Sequence, residues 1–232
     1  MLIEIMGGET ATFRVKGIEI KLVKDRKIYM PSVATRLIAE NLHDVSDLRV
    51  LDLGTGSGVL AILASKLGAK DVVATDISER AIRIARRNAE INHVKIDFRI
   101  GDLFDPVRDE LFDLIISNPP MTPSPIQLPR FTWGGVDGRF ILDRIIDDAP
   151  SHLRRDGRLI LPVISLVGIG RTYQALLERG FIPKVLDYRV HPFGDTLHRL
   201  LDHLKSLSDS DYVYDRLGRA CWRLVLFEAV KT

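Results

Sequence analysis

The sequence predicts a doubly wound α/β fold: a seven-stranded, mostly parallel sheet with helices on both faces, preceded by a β-hairpin extension. Three observations predict it. The strand-like run Arg49–Leu53 passes through Gly54, Gly56 and Gly58 straight into an apolar helical pattern from Val59. Strand and helix signals then alternate with short joints along the rest of the chain. The strands Asp71–Asp76, 96–100 and Phe112–Ser117 run apolar without strict alternation, as strands buried on both faces do.

The elements follow in order. Residues 10–23 alternate, with Phe13 and Val15, then Ile18, Ile20 and Leu22, broken by Gly17; this predicts a hairpin with one buried face. Pro31 discourages helix before it, and Ser32 can cap a helix through Leu37, Ile38 and Leu42. Residues 1–45 form either a decorated extension or a lid over a ligand, and residues 46–232 the main domain. The helix after the glycine turn stops at Gly68, and the strand Asp71–Asp76 ends in a carboxylate before Ser78 caps the next helix. After the strand ending at Ser117, residues 118–129 hold five of the 11 prolines, a rigid loop of the kind that carries functional groups. A helix at 140–153, a strand at 158–163 and a helix ending at Gly180 follow. The tail predicts a strand near 185–190, a helix at 196–207 capped by Asp195, and a last strand at 222–230.

Bulk properties narrow the class. With 232 residues, 46% hydrophobic and 28% charged, the chain can bury one full α/β core. A net charge of +2 is compatible with a nucleic-acid partner without demanding one. The single cysteine, Cys221, excludes an intrachain disulfide and fits a reducing compartment. The first residues do not read as a signal peptide, and no window approaches the roughly 20 apolar residues of a membrane span. The expectation is a cytoplasmic protein with no membrane partner.

In a doubly wound sheet, ligands lie over the carboxyl ends of the strands. Four features should meet there: the turn at 54–58, Asp76, Asp102 and Asn118. Asp76 stands 18 residues after Gly58, the spacing at which a carboxylate accepts from ribose hydroxyls, although a solvated strand-end aspartate reads the same way. Asp102 could accept from an adenine amino group while Leu103 packs on the ring, or simply form a turn. Asp52 interrupts an apolar strand, so it needs turn amides, a cationic ligand group or water. A dinucleotide fingerprint would place its third glycine where Val59 stands, and Asp52 would repel a pyrophosphate. S-adenosylmethionine, with a sulfonium cation, ribose, adenine and no phosphate, suits these residues better. The Asn118-Pro119-Pro120-Met121 stretch points to the reaction. The Asn118 oxygen and the Pro119 carbonyl can accept both hydrogens of an NH2 group and aim its nitrogen at the methyl, catalysis by positioning.

Asp52-Leu-Gly-Thr-Gly-Ser-Gly58 with Asn118-Pro-Pro-Met121 resembles the class I, Rossmann-like, S-adenosylmethionine-dependent methyltransferases that modify nitrogen. Within them the sequence is most similar to the release-factor glutamine methyltransferases. Gly134-Gly-Val-Asp-Gly138 with Asp143-Arg-Ile-Ile146 resembles that family's Gly-Gly-x-Asp-Gly segment and helix. Tyr29-Met-Pro-Ser-Val-Ala-Thr35 resembles a segment of its short archaeal and eukaryotic branch that covers the methionine end of the cofactor. The resemblance implies an antiparallel last strand. It also implies cofactor contacts from Asp52, Gly54, Thr55, Gly56, Gly58, Asp76, Ile77, Asp102, Leu103, Asn118 and Thr35. Asn118 and Pro119 are implied as catalytic, with Tyr29, Pro120 and Met121 facing the substrate. Met121 departs from the Tyr or Phe usual at its position, and a helix carrying His198 and His203 is inserted near the end. The expected acceptor is a protein amide, by resemblance the glutamine of a translation release factor; an exocyclic base nitrogen of RNA is the alternative, and a non-catalytic binding subunit a third reading. The resembled branch works with a small activating subunit. No metal is expected: His198 and His203 are five apart and do not stack on one helix face. The Arg80, Arg83, Arg86 and Arg87 stripe reads as an exposed helix face.

Overall fold

The computed structural model describes residues 10–25, 28 and 30–232. Its first elements, β1 (Thr10–Val15) and β2 (Ile18–Val23), pair antiparallel and bury Phe13, Val15, Ile20 and Leu22 on one face. Ser32 caps α1 (Val33–Asn41), its side chain accepting from the Thr35 N–H. Strand β3 (Arg49–Leu53) leads through the glycine turn into α2 (Val59–Lys66), and β4 (Asp71–Asp76) into α3 (Glu79–Ile91), capped by Ser78 as predicted. Strands β5 (Asp97–Ile100) and β6 (Phe112–Ser117) complete the first half. Then come α4 (Phe140–His152), β7 (Leu153–Ile164), α5 (Ile169–Glu178), β8 (Phe181–Pro192), α6 (Asp195–Arg199), α7 (Leu201–Ser206), β9 (Val213–Tyr214) and β10 (Ala220–Lys231).

The main sheet runs β5-β4-β3-β6-β7-β10-β8, with β10 antiparallel to both neighbours and the two-residue β9 added beside it. Successive side chains of a strand point to opposite faces, and the core divides accordingly. Val50, Leu114 and Ile116 pack with α1, α2, α3 and the hairpin, whereas Leu51, Leu53 and Ile115 pack with α4 and α5. The hairpin therefore shares the main core. Its backbone is held by α3, because Asn88 Oδ1 accepts from Val23 N at 2.8 Å and Asn92 Oδ1 from Lys21 N at 3.0 Å.

The tail departs from expectation in three places. Strand 158–163 begins earlier, at Leu153, and its register against β6 shifts between Leu153 and Arg158. The strand expected near 185–190 spans Phe181–Pro192, because β10 pairs with it from Cys221 to Lys231. The helix expected at 196–207 breaks at Leu200 into α6 and α7, and Gly194, not Asp195, takes the N-cap position. That break lets Leu200 and Leu204 pack with Phe193 and Leu166 in a small third cluster. Among the described residues no helix is long and apolar enough to cross a membrane.

Candidate active site

The sheet register lines up the four predicted features. Leu53 stands opposite Thr75 on one side and Ser117 on the other, and Asp76 stands opposite Ile100. The residues at or just beyond these positions, Gly54, Asp76, Asp102 and Asn118, therefore share one rim at the carboxyl end of the strands.

The glycine turn is tied down at both ends. Gly54 N and Thr55 N both donate to Thr75 O at 2.9 Å. Asp52 is buried beneath the turn, where its Oδ2 accepts from the Thr55 hydroxyl at 2.6 Å and from Ala61 N at 3.0 Å. Burial pushes its carboxyl pKa up to about 6, against the pull of those two hydrogen bonds. Asp76 accepts from Gly56 N through Oδ2 and from Ser78 N through Oδ1, each at 2.9 Å. Its pKa is also raised, by burial, and is held back by the same two amides and by the charge of Arg130 from the proline-rich loop. Gly58 must be glycine: φ is +81°, and a Cβ there would stand 3.0 Å from Ala85 Cβ on α3. It thus allows α2 and α3 to touch, and Asn88 Nδ2 reinforces the joint by donating to Ser57 O at 2.8 Å.

Next along the rim, Ile77 is 41% exposed. Leu103 is held at φ +46°, a conformation that strains a side chain of its kind, with its carbonyl accepting from the Thr75 hydroxyl at 3.3 Å. Asp102 is bound to Arg144 of α4 through Nη2 at 2.7 Å, a partner that sequence reasoning missed. Arg144 lies in the quoted Asp143-Arg-Ile-Ile146 stretch, but nothing local says that it reaches Asp102.

On the other side of the turn, Asn118 Nδ2 donates to Thr35 Oγ1 at 3.1 Å. Thr35, expected at the cofactor, is thus joined to the catalytic candidate. Pro119 is buried and Pro120 half-buried. Met121, expected to face the substrate, is only 6% exposed and packs into the α4–α5 layer of the core. The second expectation of this kind, Tyr29, lies outside the described residues.

The loop that follows is a braced structure. Thr122 N donates to Thr132 O at 3.0 Å, Gly134 N to Thr122 O at 3.1 Å, and the Trp133 indole to Ser124 O at 3.1 Å. At Gly138, φ is +79° and a Cβ would meet Met121 O at 2.6 Å, so the Gly-Gly-Val-Asp-Gly segment folds directly onto the Asn-Pro-Pro-Met turn. Arg139, 2% exposed, is the anchor. Its Nη1 donates to Val167 O and Thr172 Oγ1, and its Nε and Nη2 to Asp143. Arg171 links Asp143 and Asp137 to Asp209 of the inserted segment. His203 reaches back from α7, its Nε2 lying 2.7 Å from Val136 O. An open groove of about 520 Å³ lies along this loop rather than over the glycine turn, walled by Trp133, Val136, Phe140 and Asp143. Arg139 was also missed from sequence; its signal is an arginine directly after the Gly134–Gly138 segment and four residues before Asp143, at the N-cap of α4. Among the described residues no group of three or more His, Cys, Asp or Glu side chains could hold a metal.

A central sheet with its last strand inserted antiparallel, a glycine turn after β3 and an Asn-Pro-Pro turn beside it together define a class I methyltransferase. The chain belongs to the family described as the methyltransferase small domain, whose model matches residues 30–181. A Methanocaldococcus jannaschii protein, provisionally named a protein N5-glutamine methyltransferase, is 36% identical over 189 residues, covering 79% of this chain and 94% of its own. The release factor glutamine methyltransferase of Lactococcus lactis is 33% identical over 193 residues, covering 76% of this chain and 70% of its own. The solved Mtq2–Trm112 complex of E. cuniculi, described as responsible for methylating the eRF1 termination factor, matches with a TM-score of 0.63. That match has 24% identity and covers 89% of this chain and 99% of that one. The family membership and fold expected from the sequence motifs are borne out.

Proposed function

We propose that this enzyme transfers the methyl group of S-adenosylmethionine to the side-chain amide nitrogen of a protein glutamine, the glutamine of a translation release factor. One observation carries the reading. Asn118 follows β6 directly beside the glycine turn that follows β3, since Leu53 and Ser117 are paired, so an acceptor held by Asn118 lies next to a ligand held by the turn. The Methanocaldococcus jannaschii and Lactococcus lactis relatives are named for glutamine methylation, which supports the acceptor class.

The residues fit the cofactor. Asp76 gives each oxygen to one backbone amide and keeps lone pairs for ribose hydroxyls. Asp52, a buried carboxyl with a pKa raised to about 6, gains from a nearby cation and would be repelled by a phosphate. Ile77 and Leu103 offer apolar surface to an adenine ring beside Asp102, and Thr55, Gly56 and Gly58 complete the turn. When bound, S-adenosylmethionine supplies an electrophilic methyl on a positively charged sulfur.

The chain's own contribution is positioning. Asn118 Oδ1 and Pro119 O accept the two N–H groups of the acceptor, which directs the nitrogen electron pair away from them and towards the glycine turn. With S-adenosylmethionine held by the turn, that pair would take the methyl as its bond to sulfur breaks, and the nitrogen would release one proton to water. Pro119 and Pro120 fix the backbone at this point. Because the acceptor nitrogen sheds its proton as it becomes methylated, no strong base is required beside it.

The test is methyl transfer from radiolabelled S-adenosylmethionine to the release factor of the same organism, read by mass spectrometry. A methyl group on glutamine is expected. Label confined to RNA of a cell extract, lost on RNase treatment, would overturn the acceptor and leave the cofactor. Failure to bind S-adenosylmethionine in calorimetry would favour a non-catalytic subunit. The proposal extends to a small activating subunit, as in the complex of the E. cuniculi neighbour, and to a cytoplasmic place of work beside translation. Transfer by the purified chain alone, unchanged by co-expressed partners, would remove that subunit.

A further inference from the structure

We infer that Thr35 sets the orientation of the Asn118 carboxamide, making it a positioning residue for the methyl acceptor; this rests on the reading of Asn118 as the grip on that acceptor. A carboxamide has a donor end and an acceptor end on one planar carbon. An incoming NH2 group brings two donors, so only the oxygen end can receive it. In the structure the nitrogen end is engaged with Thr35 Oγ1 at 3.1 Å, which turns Oδ1 away from α1.

Thr35 is itself tied into the cap of α1. Ser32 caps α1 and accepts from Thr35 N at 3.4 Å, and its hydroxyl oxygen also stands 3.4 Å from Thr35 Oγ1. Either hydroxyl of that pair can donate, and in both cases Thr35 Oγ1 keeps a lone pair for the Asn118 amide. Rotating the carboxamide by half a turn would set NH2 against NH2 at the methyl acceptor.

Thr35 itself is held by packing. It is 4% exposed in the first turn of α1, whose Leu37, Ile38 and Ala39 are buried in the main core. The hairpin braces that helix. Arg36 lies 4.9 Å over the Phe13 ring and donates to Arg14 O, and Lys16 Nζ donates to Leu42 O at 2.6 Å. The N-terminal elements therefore act on the chemistry through one hydroxyl.

The experiment pairs Thr35→Val, which keeps shape and removes the hydroxyl, with Thr35→Ser, which keeps the hydroxyl. Two quantities are read without an acceptor: affinity for S-adenosylmethionine by calorimetry, and solvent exchange of the Asn118 side-chain amide protons by NMR, assigned by their loss in Asn118→Ala. A third is kcat for labelled methyl transfer to the release factor. Thr35→Val should leave cofactor affinity within about threefold, speed Asn118 exchange about tenfold and lower kcat about tenfold or more, the scale of one hydrogen bond. Thr35→Ser should restore both. Unchanged exchange in Thr35→Val, or a loss of cofactor affinity that matches the loss of turnover, overturns the inference. Should Thr35→Val not fold, wild type decides: an Asn118 amide that exchanges as fast as an exposed asparagine overturns it. If wild type protects that amide yet does not methylate the release factor, the proposed acceptor fails and the role of Thr35 stands.

Discussion

The turn after β3 and the loop after β6 lie side by side on one rim, but they are held in place by different means. Thr55 and Ala61 reach Asp52 across three and nine residues, and Gly56 reaches Asp76 across 20. The loop depends on longer spans: 83 residues from Thr35 to Asn118, 28 from Arg139 to Val167, and 67 from Val136 to His203. The turn is held almost within one βαβ unit. The loop is assembled from the N-terminal helix, α4, α5 and the inserted segment. If the turn holds the cofactor and the loop the acceptor, as proposed, changes in the distant braces can alter the second and leave the first alone.

The sharpest way to break this contrast is Asn118→Ala. It should lower methyl transfer by about 100-fold or more, the scale of losing a positioned polar group, while cofactor affinity changes little. Parallel loss of binding would show that the two halves are not separable. Arg139→Ala should follow, destabilising the protein by about 3 kcal/mol, since the Val167 carbonyl and Thr172 lose a buried charged partner. Thermal unfolding would report it, and any folded fraction should still bind S-adenosylmethionine. Asp76→Ala should do the reverse, weakening cofactor binding by roughly 10- to 100-fold with a smaller effect on folding; equal affinity would remove the ribose assignment.

Asp52 allows a finer test through pH. Its folded pKa, raised to about 6, exceeds the ordinary 3.8, so the native state holds this proton more tightly than the unfolded chain does. The contribution of Asp52 to stability is therefore highest below about pH 4, falls as pH rises to about 6, and is flat beyond. Asp52→Asn keeps an oxygen for Thr55 and Ala61 and removes the charge. It should raise stability at pH 7.5 by something under ~3 kcal/mol, the full linkage of that shift, with the gain disappearing near pH 4. A sulfonium nearby favours the carboxylate, so cofactor affinity should fall below about pH 6 and be weaker in Asp52→Asn. A variant gaining stability with unchanged affinity would make Asp52 a brace for the turn alone. The smallest effect is expected from His203→Ala, about 1 kcal/mol or less for one half-exposed hydrogen bond. Hydrogen exchange over residues 122–138 should rise while the glycine turn is unaffected.

Much of this was legible beforehand for stated reasons. Ser32 and Ser78 read as caps because capping is a relation between residues three apart, and both cap their helices. The alternation of strand and helix from β3 to β6 is visible in the sequence, whereas the crossover that sets β6 beside β3 rather than β5 appears only in the sheet. What misled was the tail, where α6 and α7 break to bury Leu200 and Leu204 against Phe193, a contact that helical periodicity cannot express. Asn88 and Asn92 sat in an apolar stripe of α3, and their role became visible only when the hairpin backbone lay against them. Met121 was read as a surface for the substrate because its motif position suggests one; the fold of Gly138 over its carbonyl buries it.

By itself the sequence determined the family, the parallel core of the sheet and the glycine turn after β3, because each depends on interactions between residues close in the chain or on strand ends that any doubly wound sheet aligns. Only the tertiary structure decided how the loop after β6 is held. Which end of the Asn118 carboxamide faces Thr35, and which carbonyl Arg139 finds, depend on side chains meeting across the core, and no spacing within a linear segment records where those side chains will meet.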